Sequence, residues 1–340
     1  MFDVITIGTA TQDVFLRSKL FKKIKSSSFN KKSDFPTGEA ECFAFGGKLE
    51  IDELISASGG GATNTAVTFA RQKLRTATVC RVGDDLFGSE IINELKKERI
   101  KSFVIKDQKR PTGYATILLS PNGERSILVH RGAAEDLKDK EVPSRLKSRW
   151  LYVIPSHISL SVMKKIIDQS LISGALIAMN PSRFYIEMGV GKLKSLLQKL
   201  TVVIVNREEA SYLTGIDYKK TKDIFKALDK MVSGIAVMTD GAKGVWVSDG
   251  TYLYQAGIFA NKKILDRTGA GDAFGSGFVA GLARKENVSQ QEAIEYAIRL
   301  GSANATSVVE AIGTKQGILT RSRFEKERRW RKLTIKVKKL

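Results

Sequence analysis

Asp266-Arg267-Thr268-Gly269-Ala270-Gly271-Asp272-Ala273-Phe274, continued by Gly275-Ser276-Gly277-Phe278-Val279-Ala280-Gly281-Leu282, is the stretch that decides how the rest of the chain is read. Small residues packed ahead of an apolar, small-residue helix let the backbone turn tightly and aim several N–H groups at one point. A helix N-terminus built this way binds an anion. Asp272 stands beside that anion pocket, so its carboxylate is placed to take a proton from a hydroxyl while backbone amides hold a developing phosphoryl charge. The same residues also suit a glycine-rich turn with an N-capping Asp, and the stretch alone does not choose between the two.

Upstream, short apolar runs alternate with amphipathic helical patterns. Val4–Gly8, Thr76–Val82, Trp150–Ile154, Leu176–Met179, Val202–Val205 and Ile235–Thr239 read as buried strands, rich in β-branched residues. Between and after them, residues 62–72, 89–97, 161–173, 193–199, 208–213, 222–230, 273–283 and 290–309 carry helical periodicity. Continuous apolar strands separated by helices predict an α/β protein, a mostly parallel sheet covered on both faces. Two regions break the rhythm. Residues 14–57 hold turn signals at Pro36-Thr37-Gly38 and Gly46-Gly47, and residues 112–119 and 124–129 flank Pro121-Asn122-Gly123. Asn-Gly between apolar runs marks a hairpin. Both regions are expected to form an antiparallel lid outside the main sheet. The domain expectation is a core of residues 1–13, 58–110 and 130–320, a lid of 14–57 and 111–129, and a basic tail, 321–340.

The opening stretch resembles the C-terminal signature of the ribokinase (PfkB) family of carbohydrate kinases, a pattern D-[TR]-T-G-A-G-D-[AT]-F that Asp266 to Phe274 matches. Ser58-Gly59-Gly60-Gly61-Ala62-Thr63-Asn64-Thr65-Ala66 resembles the family's G-G-x-x-x-N-x-A. Arg81-Val82-Gly83-Asp84-Asp85-Leu86-Phe87-Gly88 resembles its V-G-x-D-x-x-G, Asn206-Arg207-Glu208-Glu209 its N-x-x-E, and Thr239-Asp240-Gly241-Ala242-Lys243-Gly244 its T-x-G-x-x-G. The resemblance spans residues 1 to about 319 and implies a three-layer α/β/α sandwich with a small β lid.

It also implies roles. Asp272 would be the catalytic base, and the amides of Gly269, Ala270, Gly271 and Asp272 the anion hole for the γ-phosphate of ATP. Asp13, following the first strand at the edge where open parallel sheets bind ligands, would grip hydroxyls of the acceptor. Gly59 and Gly60 would be the hinge of the lid, and Asn64 would face the acceptor. Glu209, with Asn206, would position a hydrated magnesium ion. Thr239, Gly241 and Gly244 would lie along the nucleotide, with Asn304 near its adenine. Asp266 and Thr268 correspond to residues that hold a monovalent cation, potassium, in family members. A homodimer through the lid is a further expectation of the resemblance.

Departures from the family bear on the acceptor. Arg267 stands where many sugar-specific members have Thr, and His130-Arg131-Gly132-Ala133 where many have Pro-Gly-Ala. Pro155-Ser156-His157 ends a strand where ribokinases often place a Glu. Arg131 suits a carboxylate or phosphate on the substrate, or simply caps a strand. Sugar, sugar acid and nucleoside therefore all stay open as substrates.

The 340 residues carry 56 Lys+Arg against 36 Asp+Glu, a net charge of +20, which raises nucleic acid as an alternative partner. Residues 17–32 hold seven basic residues and no acid, and residues 321–340 hold ten against Glu325 and Glu327, so fifteen of the twenty excess charges sit in two stretches. No nucleic-acid-binding motif accompanies them, and the tail reads equally as an amphipathic basic helix that packs back or touches an anionic surface. A dehydrogenase and a P-loop NTPase are excluded because neither G-x-G-x-x-G nor G-x-x-x-x-G-K-[ST] is present. Cys42 and Cys80 are expected to be free thiols. His130 and His157 lack partners at zinc-ligand spacing. With no segment apolar enough for a membrane span and no basic leader, the expected location is cytoplasmic.

Overall fold

The structure, a computed structural model, describes residues 1–26, 39–120, 125–143 and 146–340. Pro36-Thr37-Gly38 and Pro121-Asn122-Gly123, and with them Lys31 and Lys32, lie outside the described residues. The chain enters through β1 (Phe2–Ile7), passes into a second sheet as β2 (Thr11–Arg17), forms a ribbon of β3 (Lys23–Lys25) and β4 (Glu39–Glu41), and returns by β5 (Glu53–Gly59) into α1 (Gly61–Arg71). β6 (Thr76–Gly83), α2 (Leu86–Lys97) and β7 (Lys101–Asp107) follow, then β8 (Gly113–Leu119) and β9 (Arg125–His130) in the second sheet. The main body resumes with β10 (Ser148–Val153), α3 (Leu160–Ile172), β11 (Leu176–Met179), α4 (Arg183–Ile186), α5 (Val190–Leu197), β12 (Val202–Asn206), α6 (Arg207–Thr214), α7 (Thr221–Met231) and β13 (Ile235–Thr239). It closes with β14 (Val245–Ser248), β15 (Tyr252–Ala256), α8 (Ala270–Arg284), α9 (Gln290–Val309), α10 (Arg321–Lys326) and β16 (Ile335–Lys339).

Ten strands form the central sheet in the order β16-β15-β14-β13-β12-β11-β10-β1-β6-β7. β7 through β13 in that order run parallel, and β14, β15 and β16 continue the sheet antiparallel. Every residue of β6 is buried, as a strand covered on both faces requires. One face packs on α3, α5, α6 and α7 around Leu151, Val203, Ile224 and Leu228. The other packs on α1, α2, α8 and α9 around Phe69, Tyr152, Phe278 and Ile294. The expected three-layer sandwich is the observed one. The six strands read from the sequence are all present. The sheet also gains β7, β15 and β16, whose patterns are largely half-buried or exposed, and β14, a mostly buried strand of only four residues.

The small sheet has the order β5-β2-β8-β9. Its outer pairs are antiparallel and its central pair, β2 with β8, is parallel. Asp85 fixes the root of this lid. It caps α2 by accepting from the Gly88 amide at 2.8 Å, and it accepts from the Thr112 amide at 2.7 Å and hydroxyl at 2.6 Å just before β8. The Val82-Gly83-Asp84-Asp85 pattern is thus a structural joint between body and lid.

The last twenty residues pack back on the body, one of the two readings left open for the basic tail, with the helix confined to α10 and followed by β16. Thr320 caps α10, Phe324 and Trp330 are 2% and 1% exposed, and β16 pairs antiparallel with β15 from Tyr252↔Lys339 to Ala256↔Ile335. The tail folds back because it is amphipathic: Trp330 packs edge-on against Phe259 at 5.2 Å, while Lys336, Lys338 and Lys339 are exposed. Lysines along an outermost strand discourage edge-to-edge pairing with another chain. Several tail charges are also paired, Arg323 to Glu327 at 2.8 Å and Arg329 to Glu310 at 2.7 Å. Trp330→Ala is expected to cost about 3–5 kcal/mol, the range for truncating a buried aromatic. Urea unfolding checks this, and an unchanged midpoint would return residues 321–340 to the status of an appendage.

Candidate active site

The site grows from the N-terminus of α8. The sequence places no large side chain where α8 meets α9: a β-carbon at Gly281 would overlap the Ala297 backbone, and one at Gly277 would press on Gly301. The helix therefore sinks into the body, with every residue from Ala273 to Ala283 buried. Gly269, at φ 78°, precedes it in the left-handed conformation that glycine adopts without strain. The first-turn N–H groups of a helix have no carbonyl partner within it, so those of Gly271 and Asp272 are open to an anion.

Asp272 lies in that first turn. Asn64, on α1, donates from Nδ2 to Asp272 Oδ2 at 2.9 Å, and Thr314 donates from its hydroxyl to Asn64 Oδ1 at 2.9 Å. The amide of Asn64 is thereby oriented at both ends. Burial pushes the Asp272 carboxyl above the ordinary aspartate range, opposed by the Asn64 hydrogen bond. A carboxylate poised this way accepts a proton more readily than an exposed one.

Asp13 is 6% exposed and accepts from the Thr11 hydroxyl at 2.8 Å. It sits inside lid strand β2 rather than at the end of the first core strand, because the chain leaves β1 at Gly8 and is already paired in the lid at Thr11. Opposite it, Gly59 ends β5, and any side chain there would collide with the Asp13 carboxylate. Gly60, at φ 95°, starts α1 with no room for a β-carbon beside the Thr9 carbonyl. Gly59-Gly60 is thus the joint where lid strand becomes core helix. Burial is the main cause that raises the Asp13 carboxyl to about 6, and nearby Lys315 partly offsets it.

Two cavities meet at Asp272's end of α8. The larger, about 290 Å³, is lined by Thr239, Gly241, Gly244, Asn261, Arg267, Ala270, Gly271, Phe274 and Thr306, among others. Its walls are mainly apolar, and Asn261 Oδ1 is buried there with no hydrogen-bond partner, an acceptor open to a donor on a bound molecule. The smaller, about 180 Å³, is lined by Asn180, Asn206, Glu209, Thr239, Gly269, Gly271 and Asp272. Asn206 and Glu209 form a reciprocal capping box at the start of α6, each accepting from the other's backbone N–H at 2.8 Å. Burial pushes Glu209 up to about 7. A cavity with two carboxylates, two amide side chains and no lining cation suits a hard divalent ion that keeps its waters. Among the described residues no three His, Cys, Asp or Glu cluster as a direct ligand set, so the fit is to a hydrated ion.

Asp266 is 1% exposed and accepts from the Thr268 amide and hydroxyl at 2.8 and 2.6 Å and from the Gly313 amide at 3.2 Å. Asn304 is misassigned by the resemblance. It is fully buried, donating to Thr68 and to the Ala273 carbonyl and accepting from the Leu319 amide, so its polar atoms join α1, α8 and the segment after α9. His157 stacks on Phe184 at 4.8 Å, and Arg131 is exposed, preceding a single 3-10 turn. Cys42 and Cys80 are free, as expected. Sequence reasoning missed Asn180, Asn261, Thr314 and Lys315. Nothing in a lone polar residue between apolar runs marks it as facing a cavity.

The fold and this arrangement define a phosphotransferase of the carbohydrate-kinase type. Residues 39–321 match the model of the pfkB family carbohydrate kinases, and the chain belongs to that family. It is 27% identical over 257 residues to an uncharacterized sugar kinase of Archaeoglobus fulgidus, covering 73% of this chain and 97% of that protein. It is 29% identical over 287 residues to adenosine kinase of Schizosaccharomyces pombe, covering 77% and 83%. The structure of a probable sugar kinase from Rhizobium etli superposes with a TM-score of 0.78 at 21% identity, over 95% of this chain and 98% of that one.

The raised Asp13 carboxyl has a consequence for stability. A carboxyl near 6 in the folded protein and near 3.8 unfolded binds its proton more tightly when folded. Its contribution is present below about pH 4 and is lost as pH rises to about 6, a penalty on the order of 2 kcal/mol at neutral pH. Asp13→Asn should therefore raise Tm at pH 8 and give no gain at pH 4. A gain of equal size at both pH values would refute the shift.

Proposed function

We propose that this protein transfers the γ-phosphoryl group of ATP to a hydroxyl of a sugar or sugar-like acceptor, with Asp272 as the base. The observation that carries the proposal is the Asp272 carboxylate in the first turn of a buried helix, held by Asn64 at 2.9 Å where two cavities meet. In this reading Asp13 and Asn64 fix the acceptor, and lid closure about Gly59-Gly60 excludes water. Asp272 takes the hydroxyl proton, and the amides of Gly271 and Asp272, with Gly269 before them, stabilise the transferring phosphoryl oxygens, while the Ala270 amide of the expected anion hole donates to the Arg267 carbonyl at 3.4 Å. Thr239, Gly241 and Gly244 line the nucleotide cavity, and Asn206 and Glu209 would hold the hydrated magnesium. Magnesium, when bound, neutralises charge on the nucleotide phosphates. Asp266 and Thr268 are assigned to a monovalent cation. Exposed Ile127, Leu128 and Val129 on lid strand β9 support a homodimer through the lid.

A nucleoside acceptor is the second reading, supported by the similarity to adenosine kinase of Schizosaccharomyces pombe. Register puts Asp13, Phe15, Ile55, Ala57, Ala115 and Ile117 on one lid face, where Phe15 and Ile117 pack toward Ile312. Phe15 and Ile117 are closed off in that contact, each 1% exposed, which leaves Asp13 as the polar side chain of the face. Asp272→Asn is expected to lower kcat on the order of 10²–10⁴-fold with ATP binding intact by calorimetry. Near-normal turnover would remove Asp272 as base. An acceptor series of ribose, fructose, a sugar acid and adenosine is expected to give the highest kcat/KM for a sugar, and a higher value for adenosine would select the nucleoside reading.

A further inference from the structure

The tripeptide Gly313-Thr314-Lys315 reaches Asp266, Asn64 and the lid joint in turn. The Gly313 amide donates to Asp266, and the Thr314 hydroxyl donates to Asn64. Lys315 is 3% exposed, and its ammonium donates to the Ser58 hydroxyl and lies 3.5 Å from a Glu94 oxygen. Ser58 in turn hydrogen-bonds Glu94. Ser58 is the residue before Gly59-Gly60, so a buried cation from the far end of the chain grips the lid one residue from its joint. The lysine backbone is held too, its carbonyl accepting from Arg71 at 2.7 Å.

Burying an ammonium is costly unless charged partners surround it. Lys315 faces Glu94 from α2, Asp13 from β2 and the Cys80 thiol from β6. Asp13 faces Lys315, Asp272 from α8 and Asp266 from the preceding segment, with the Thr11 hydroxyl beside it. Among the described residues, Lys315 is thus the cation that acts on Asp13, while Arg125 acts on Asp266. We propose that Lys315 is a positioning residue of the acceptor site, fixing the lid joint through Ser58 and supplying the positive charge that Asp13 requires to receive acceptor hydroxyls. The proposal rests on the acceptor role given to Asp13 above. Asp13 accepts hydroxyl hydrogen bonds best as a carboxylate, and burial opposes that state while Lys315 favours it.

The test compares the full-length wild type with Lys315→Met, which keeps the stem and removes the charge, and Lys315→Arg, which keeps the charge. Lys315→Met is expected to raise the acceptor KM on the order of tenfold with the ATP KM unchanged. It should move the acid limb of kcat/KM upward by about one pH unit, and Lys315→Arg should restore the limb. A fall of the same factor at every pH, or an equal change in the ATP KM, would overturn the proposal. Glu94→Gln frees Lys315 to act on Asp13 and should move the limb downward, which keeps the test decisive if Lys315→Met fails to fold. If the wild type phosphorylates no acceptor in the series, the functional reading fails separately. Lys315 is then read from stability. The pH at which the Tm advantage of Asp13→Asn levels off should rise by about one unit in the Lys315→Met background. No rise would overturn the proposal.

Discussion

The site depends on one hydrogen-bond chain, Thr314 to Asn64 to Asp272. It joins the segment after α9, the helix α1 that continues from the lid, and the helix α8 that carries the open amides. Each link fixes the next: an amide whose carbonyl is engaged by a hydroxyl presents its NH₂ in one direction, and the carboxylate it meets is oriented as a result. The chain can form because α8 lies deep in the body, which the glycines facing α9 permit. A larger residue at Gly281 would push the helix away from Ala297 and carry Asp272 away from Asn64.

Charge is distributed in a way that the net figure of +20 conceals. The body places acids at the site: Asp13, Asp266, Asp272 and Glu209 are all drawn from the desolvated interior or the cavity walls. Most of the basic excess lies elsewhere, in residues 17–32 and 321–340. The site is therefore an acidic centre, with Asp13, Asp272 and Glu209 raised by burial, in a protein with a strongly positive net charge. That combination suits a polyanionic donor reaching proton-accepting groups, since the two tasks are given to different regions.

Much of this was legible beforehand. The six central strands could be read because a parallel strand buried on both faces must be apolar throughout. The glycine-rich start of α8 could be read because tight turns and open amides demand small residues in order. Asn304 misled because a polar residue on a long helix looks the same whether it meets a ligand or stitches α1, α8 and the following segment together. The tail left two readings open because its basic residues dominate its composition, and buried Phe324 and Trp330 decide between them.

The sequence by itself determined the alternating α/β order, the helix N-terminus with its aspartate and the glycine pair at the lid joint. These are local properties, set by periodicity and by the steric demands of a few backbone positions. Tertiary structure alone decided that Lys315 is buried beside Ser58 and Glu94, that Asn261 opens into the larger cavity, and that Asp13 belongs to the lid. Partners hundreds of residues apart meet only when the sheet closes, and a side chain's protonation and role follow from those partners, not from its neighbours in the chain.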